Sequence, residues 1–415
     1  MILFLIAWRN LWRNKLRTLL TALTVALGLT LLLISLGLGD GAHKQMIESA
    51  VRMGSGHVVI QSPGYQQRRG LERALRPDQV DQALQWLEQA RAEGVPIVHT
   101  PQRIFASGLA SSADGSVGVR IIGVQPSVEE SASLFPDRIA AGEFLRDSDE
   151  NRVLLGKGVA RKLELDLGGR MVLMAQAVGT SEIQSRLVRV QGILETGQEA
   201  EDQSLVLAPL AFCQDFFHLQ GRLHQVAVLL DDSGPSEELA RQGRQALTGL
   251  EVLSWRGALP GLDDFIRVDD GGNYVFYTFL FLLIGFMVLN TLLMSVLERR
   301  REFSLLDALG FAASRRFALV LLEAFFIALL ASLGGFALAY PLHLYLERYG
   351  LPLDAFNMSE FSAAGVAFDP VMYSDLSAWR ILQSVTAIMA MTLLLALLPA
   401  LRAARRGNVK LLGSD

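Results

Sequence analysis

The chain has 415 residues, of which 51% are hydrophobic and only 19% charged, and its formal net charge is −4. Soluble proteins usually carry about 25% charged residues, and so apolar a composition excludes a disordered chain. The overall charge gives no sign of the basic domain typical of nucleic-acid binding, so we expect no nucleic-acid partner. Cys213 is the single cysteine, which excludes an intrachain disulfide and a cysteine metal cluster. A mean hydropathy of +0.32 instead indicates membrane helices.

Residues 1–17 form an amphipathic segment that we expect to lie as a helix in the membrane interface. Its apolar face comprises Phe4, Leu5, Trp8, Leu11 and Trp12. Tryptophans favour the headgroup level of a membrane, and arginines favour water or lipid phosphate. The predicted interfacial anchors are therefore Trp8, Arg9, Trp12, Arg13 and Arg17.

Four stretches are long and apolar enough to cross a membrane, which takes about 20 helical residues. We assign transmembrane helices to residues 18–39, 271–297, 317–346 and 381–401. The first stretch is too long for the apolar core of a signal peptide, so we expect a retained helix. Buried helices of soluble proteins rarely run this far without a charge.

The positions of the basic residues predict the orientation of these helices. Thirteen Lys and Arg residues lie in the short segments 1–17, 298–316 and 402–415, but only two lie in 347–380. Because basic residues stay on the cytoplasmic side, we expect both termini and 298–316 to be cytoplasmic. The region 40–270, with 23 basic and 32 acidic residues, then lies outside, as does the shorter loop 347–380.

The large outside region alternates between strand and helix patterns. The predicted strands are His57–Gln61, Gly118–Val124, Arg152–Leu155, Arg170–Ala175, Arg186–Leu194, Ser204–Ala208 and Gln225–Leu230. The predicted helices are Pro77–Glu93, Lys157–Leu163, Pro209–Phe217 and Pro235–Leu247. We therefore predict an integral membrane α-helical protein with four transmembrane helices and a large α+β domain between the first and second; the order of the strands does not follow from the pattern.

The sequence gives no sign of catalytic chemistry. Asp215, His218 and His224 lack the spacing of a helical zinc site and are expected to be surface residues. Cys213 lies in an apolar run and is expected to be a packed thiol. The phosphate-loop pattern G-x-x-x-x-G-K-[ST] is absent from the sequence, so we expect no enzymatic activity, metal or cofactor in this chain.

The segment after the second span has a charged cluster followed by apolar residues. A short amphipathic helix there, lying under the membrane, would present its apolar side chains to a partner, whereas a solvated turn needs none. The predicted docking set is Glu298, Arg299, Glu302, Phe303, Leu305, Leu306, Ala308, Leu309 and Gly310. Ala308 and Gly310 belong to this set only because of a family resemblance.

Polar and small residues inside the spans predict helix packing. We expect Asn290 to hydrogen-bond between helices, and Glu323 to reach the interface or pair with Arg315 or Arg316. Small residues recurring every four positions predict a close helix contact. The predicted membrane-core set is Asn290, Glu323, Ala331, Gly334, Gly335 and Ala339.

These residues resemble a known family, the FtsX-like permeases, which include MacB-type and Lol-type permeases. The resemblance rests on the pattern of Asn290, Met294, Glu298, Arg299, Glu302, Ala308 and Gly310, on Glu323, Ala324, Gly334 and Gly335, and on the closing run Pro399–Arg405. The run VLLGKGVARKLELDLGGRMVL, followed by VRVQGILET, is similar to the MacB-type periplasmic core domain. Ser304 and Asp307 depart from the family pattern, where glycine and a basic residue are frequent.

The resemblance implies an ABC transporter permease in the bacterial inner membrane, working as a homodimer or heterodimer with a separate ATPase dimer that holds ATP and Mg²⁺. It implies transmission of ATP-driven movement to the periplasmic domain, with release of lipoprotein or other lipid-bearing cargo and a periplasmic carrier as a further partner. Three alternatives remain open at this point. They are a peptide or antibiotic efflux permease of a tripartite system, a scaffold that activates a periplasmic cell-wall hydrolase, and a membrane-anchored enzyme.

Overall fold

The computed structural model describes residues 2–179, 182–353, 362–363, 366–367 and 371–404. Its contacts divide the chain into two compact units. We call the first the membrane unit; its described residues are 2–43, 267–353 and 371–404. The second also includes the described residues 362–363 and 366–367, and we call its segment 44–266 the sheet unit.

Four of the described helices, α2, α10, α12 and α13, are much longer than the others. In chain order they are α1 (Ile2–Arg13), α2 (Lys15–Ala50), α3 (Pro77–Ala92), α4 (Pro126–Ala132), α5 (Lys157–Lys162), α6 (Glu199–Asp202), α7 (Leu210–Phe216), α8 (Ser236–Ala246), α9 (Trp255–Ala258), α10 (Pro260–Glu298), α11 (Arg300–Ala308), α12 (Ala313–Tyr349) and α13 (Ala378–Ala404).

Eleven of the described strands belong to the sheet unit. They are β1 (Val58–Gln61), β2 (Ile97–His99), β3 (Gln102–Ser111), β4 (Ser116–Val124), β5 (Ile139–Gly142), β6 (Arg152–Gly156), β7 (Arg170–Gln176), β8 (Ile183–Leu194), β9 (Leu205–Pro209), β10 (Gln225–Leu230) and β11 (Glu251–Ser254). Four two-residue strands follow, β12 (Leu351–Pro352), β13 (Ser362–Ala363), β14 (Val366–Ala367) and β15 (Val371–Met372).

Four helices, α2, α10, α12 and α13, are long and apolar enough to cross a membrane. They coincide with the four predicted spans and confirm a membrane protein built on four helices, with the α+β domain between the first two. The predicted tail 402–415 lies mostly outside the described residues, which end at Ala404.

Small residues allow close packing of α12 against α2. Ala331, Gly335 and Ala339 are buried, and the backbone oxygen of Gly335 accepts a hydrogen bond of 3.1 Å from the Thr30 hydroxyl. A Cβ atom at Gly335 would lie 2.8 Å from the Ala26 carbonyl oxygen. The predicted small-residue face is therefore a helix contact within the chain.

We predict that Gly335→Val separates α2 from α12, because the new side chain would meet backbone rather than a flexible side chain. Overpacking of this kind costs about 1–3 kcal/mol. The midpoint of unfolding of the purified chain in detergent should fall accordingly. Gly334→Val is the control, since a Cβ at Gly334 meets only Ala26 Cβ at 3.6 Å. Equal losses in the two variants would contradict the close contact.

The sheet unit is built on one mixed sheet with the strand order β11-β1-β10-β3-β4-β9-β6-β8-β5. In addition, β2 pairs with β10, and β7 pairs with β3 and β8. The pairs β4–β9 and β6–β8 are parallel, and the other pairs are antiparallel. Helices α3, α5, α7 and α8 cover one sheet face and complete the main core with buried residues such as Leu87, Val159 and Phe216.

A buried ion pair holds the end of α2 against this sheet. After Ala50 the chain makes a π-helical turn, Val51–Ser55, in which Gly54 has a φ of +150°. Arg103 donates to Glu129 over 2.6 Å and 3.0 Å and also to the Gly54 carbonyl. Gln225 donates to the Ser55 carbonyl over 3.0 Å. These donors satisfy carbonyl groups that the end of a helix leaves free. We call this arrangement the helix joint.

Candidate functional site

Arg299 is the centre of a charged cluster where α10 ends and α11 begins. Its Nη1 lies 2.7 Å from Glu323 Oε1 on α12, and its Nε lies 2.9 Å from Glu302 Oε2 on α11. Asn10 of α1 donates to the same Glu323 oxygen over 2.7 Å. Arg299 and the two carboxylates of Glu302 and Glu323 thus connect α1, α11 and α12 at the end of α10.

Two further arginines extend this cluster toward the surface. Arg13 lies 2.7 Å from Glu302, and Arg17 forms an ion pair with Glu298. These pairs are half-exposed, and exposed pairs each contribute about 0–1 kcal/mol. The predicted interfacial arginines at positions 13 and 17 therefore tie the N-terminal helices to α10 and α11, whereas Arg9 is exposed.

Glu323 pairs differently from the prediction. The structure places its carboxylate on Arg299 and Asn10, and the expected pairing with Arg315 or Arg316 is wrong. Arg316 is instead buried, 2.8 Å from Asp307, and donates to the backbone oxygens of Phe303 and Ala404. Asp307, which departs from the family pattern, thus neutralises a buried arginine.

Helix α11 has a buried and an exposed apolar side. Phe303 is buried in the helix core with its ring 5.3 Å from the Arg299 guanidinium carbon, so it does not present itself to a partner. Leu306 is half-buried against the same core. Leu305 is 55% exposed and Leu309 76% exposed. Ala308 and Gly310 are exposed beside them. We call these four exposed residues the α11 surface.

The remaining predicted membrane residues fall into two groups. Ala331, Gly335 and Ala339 are buried and Gly334 is half-buried. Asn290 differs from the prediction, because it is exposed on α10 and makes no side-chain hydrogen bond to another described residue. An interhelical hydrogen bond of Asn290 within this chain is therefore not found in the structure.

Helix α1 keeps its aromatic residues on an exposed side. Trp8 and Trp12 are 39% and 48% exposed, and their rings contact each other. The rings of Phe4 and Trp8 pack edge-on against Phe326 of α12. Leu11 was predicted to lie on the same face as these aromatic residues, but it is buried.

The titratable residues singled out in the sheet unit are not grouped into a site. Asp215 pairs with Arg186 over 2.7 Å, while His224 is buried and accepts the Phe105 amide hydrogen. Burial lowers the pKa of His224 to about 4 and raises the pKa of the Cys213 thiol. No group of three potential metal ligands occurs among the described residues. Arg103, Glu129 and Asn10, which do form important contacts, carry no sequence motif that singles them out.

We predict that Glu323→Leu is far more damaging than Glu323→Gln. Leucine leaves Arg299 without its buried partner, whereas glutamine still accepts the hydrogen bonds from Arg299 and Asn10. Hydrogen bonds to charged groups contribute about 1.5–3 kcal/mol. The unfolding midpoint of the chain in detergent would report the difference. Glu347→Leu on the same helix, whose side chain is 58% exposed, is the control. Similar losses for leucine at 323 and 347 would contradict the role of the cluster.

Comparison with known proteins gives the chain two family matches. The model of the MacB-like periplasmic core domain matches residues 18–246, and that of the FtsX-like permease C-terminal region matches residues 274–407. The first match covers every strand of the large sheet except β11, and the second covers α11, α12, α13 and most of α10.

Individual relatives are distant. Macrolide export ATP-binding/permease protein MacB of Wolinella succinogenes is 25% identical over 82% of this chain and 53% of its own length. Lipoprotein-releasing system transmembrane protein LolC of Neisseria meningitidis is 20% identical over 55% of this chain and 56% of its own. An uncharacterized ABC transporter permease of Mycobacterium tuberculosis is 25% identical over 53% of this chain and 25% of its own. The chain thus spans about half or less of these relatives.

Among solved structures, the periplasmic region of MacB from Actinobacillus actinomycetemcomitans matches 51% of this chain and 94% of its own, at 15% identity and a TM-score of 0.35. The family matches extend over most of the chain, and they agree with four membrane helices and an α+β domain between the first two. The chain therefore belongs to the family of ABC transporter permeases that join a MacB-like periplasmic core domain to an FtsX-like permease C-terminal region.

Proposed function

We propose that this chain is the permease subunit of an ABC transporter and that the α11 surface docks the ATPase. The observation that carries this proposal is the exposure of Leu305 on α11 and of Leu309 directly after it. Ion pairs connect α11 to α1, to Arg299 and to α12. Exposed leucines on a fixed helix suit a partner groove. We propose that ATP, Mg²⁺ and hydrolysis belong to a separate ATPase dimer.

The positive-inside rule supports a cytoplasmic position for α11. We accordingly propose that both termini face the cytoplasm, in the bacterial inner membrane, and that the sheet unit is periplasmic. Helix α2 runs from Lys15 to Ala50 and α10 from Pro260 to Glu298, each beyond its uncharged stretch. At 1.5 Å per residue, the eleven residues of α2 after Gly39 add roughly 16 Å. Both extensions are suited to carry movement to the sheet unit.

We propose that the cargo is a lipoprotein or another lipid-bearing molecule, released toward a periplasmic carrier by a homodimeric or heterodimeric permease. The similarity to a lipoprotein-releasing system transmembrane protein supports this cargo. A second candidate is export of a macrolide or peptide, because the relative that covers 82% of this chain is a macrolide export protein.

Reconstituting the chain in liposomes, with the ATPase that co-purifies with it from native membranes, distinguishes lipoprotein release from macrolide or peptide export. The proteoliposomes should hydrolyse ATP and release an incorporated lipoprotein to a soluble acceptor in an ATP-dependent manner. ATP-dependent movement of a macrolide without lipoprotein release would instead establish the second candidate. Absence of any P-loop ATPase from the purified complex would overturn the permease role.

A further inference from the structure

The sheet unit contains a cavity of about 340 Å³ that none of the functions above uses. Val59, Phe105 and Ile122 form its apolar floor on the sheet face opposite the main core. Its roof comes from two chain segments, residues 50–55 at the end of α2 and residues 258–262 at the start of α10. Ligand sites in proteins commonly measure about 300–1,000 Å³, so the cavity suits a small ligand.

The cavity lining also includes cationic and hydrogen-bonding groups. Arg120 donates to Glu201 over 2.5 Å, while its Nε atom is buried without a hydrogen-bond partner. Arg69 also lines the cavity and is exposed. Burial raises the pKa of Tyr65, another lining residue, to about 12, so its hydroxyl stays a donor at neutral pH. With two arginines against one glutamate, the charged residues of the lining are net positive.

An apolar floor together with arginine side chains favours one class of ligand. The planar guanidinium fork of an arginine matches a carboxylate, and Arg69 and Arg120 both line the cavity. The apolar floor is suited to a hydrocarbon group attached to that carboxylate. We propose that this cavity binds a carboxylate with an apolar tail, supplied either by a fatty acid or by the C-terminus of a hydrophobic peptide.

A ligand bound beneath this roof also affects the helix joint. Gly54 and Gln225, which line the cavity, also belong to the helix joint. A ligand in the cavity therefore contacts the segments that lead into the first and second membrane helices. Occupancy stabilises the joint. This inference does not depend on the ATPase or on the cargo proposed above.

The test uses the full chain in lipid nanodiscs and a medium-chain fatty acid that carries a photoreactive diazirine on its tail. Mass spectrometry should place the label on Met53, Phe105 or Ile122, and excess unlabelled fatty acid should displace it. A hydrophobic peptide with a free C-terminus should compete and its amidated form should not, if peptides are the source. If only the fatty acid competes with the label, and the peptide does not, the natural ligand is a fatty acid.

Two arginine variants test the recognition of the carboxylate. Arg69→Gln changes an exposed residue, so it preserves the fold, and it should weaken labelling of the cavity roughly tenfold. Arg120→Gln should weaken it at least as much. Arg241→Gln on α8, an exposed arginine that pairs with Glu238, should leave labelling unchanged. Equal labelling by the matched fatty alcohol, or labels on membrane helices with none on the cavity floor, would overturn the proposal.

Discussion

Replacing Arg103 by Met is expected to destabilise the chain by about 3–5 kcal/mol, the usual cost of leaving a buried charge unpaired. Both Arg103 and Glu129 are almost completely buried, at 1% and 0% exposure. The substitution also removes the donor to the Gly54 carbonyl in the helix joint. Pulse proteolysis of the full chain in denaturant, followed by detection of cleavage in the sheet unit, measures the loss.

The double variant Arg103→Met with Glu129→Leu distinguishes the cost of an unpaired buried charge from the cost of lost packing. Removing both charges eliminates the uncompensated carboxylate, and such replacements are often neutral or stabilising. We expect much of the stability to return, although the Gly54 carbonyl keeps only the long 3.3 Å hydrogen bond from Gln225. Arg241→Met, which breaks an exposed pair with Glu238, should change stability by less than about 1 kcal/mol. A double variant no more stable than Arg103→Met would show that the ion pair itself is required.

The membrane part of the fold follows from the sequence because a bilayer imposes a simple rule. A span needs about 20 apolar residues, and the four predicted stretches lie within α2, α10, α12 and α13. The helix ends were less predictable, since α2 continues through Asp40 and His43 to Ala50. Polar residues do not end a helix when tertiary contacts support it, and Met46 and Ala50 are buried among neighbours.

The sheet unit was predictable where strands are rich in β-branched residues and unpredictable elsewhere. Strand β3 was missed because its sequence, QRIFASGLAS, contains Gly108 and several small residues. Gly108 is required there, since a Cβ atom would lie 2.8 Å from the Met174 carbonyl oxygen of the neighbouring strand β7. A close contact between segments that are far apart in the sequence leaves no local sequence pattern. The same limit applies to Arg103 and Glu129, which lie 26 residues apart.

For the candidate site, sequence located the right segment but not the direction of each side chain. The pattern placed Phe303, Leu305, Leu306 and Leu309 together as a docking face, yet the structure divides them between core and surface. A nine-residue helix has too few turns for its apolar face to be assigned when both sides carry apolar residues. The partners of Glu323 were likewise set by α1 and α10 rather than by its own helix.

Leu309→Asp is expected to abolish co-purification of the ATPase while the chain remains folded. Leu309 is the most exposed leucine of the α11 surface, so a carboxylate there stays in water in the free chain but is desolvated in a docked complex. Loss of an apolar anchor at the centre of an interface costs 2 kcal/mol or more, which is roughly a 30-fold loss in affinity. Leu305→Asp should act in the same direction.

Two controls distinguish docking from folding. Leu187→Asp changes a leucine of the sheet unit that is 56% exposed and should retain the ATPase. Phe303→Asp should instead reduce the yield of folded chain, since that ring is buried against the helix core, and the half-buried Leu306 is a poor test for the same reason. Normal recovery of the ATPase with Leu309→Asp and Leu305→Asp together would exclude the α11 surface as its docking site. In that case we would expect the ATPase to dock on Arg300 and Arg301, which are also exposed. A variant that reverses the charge of these two residues would test this directly.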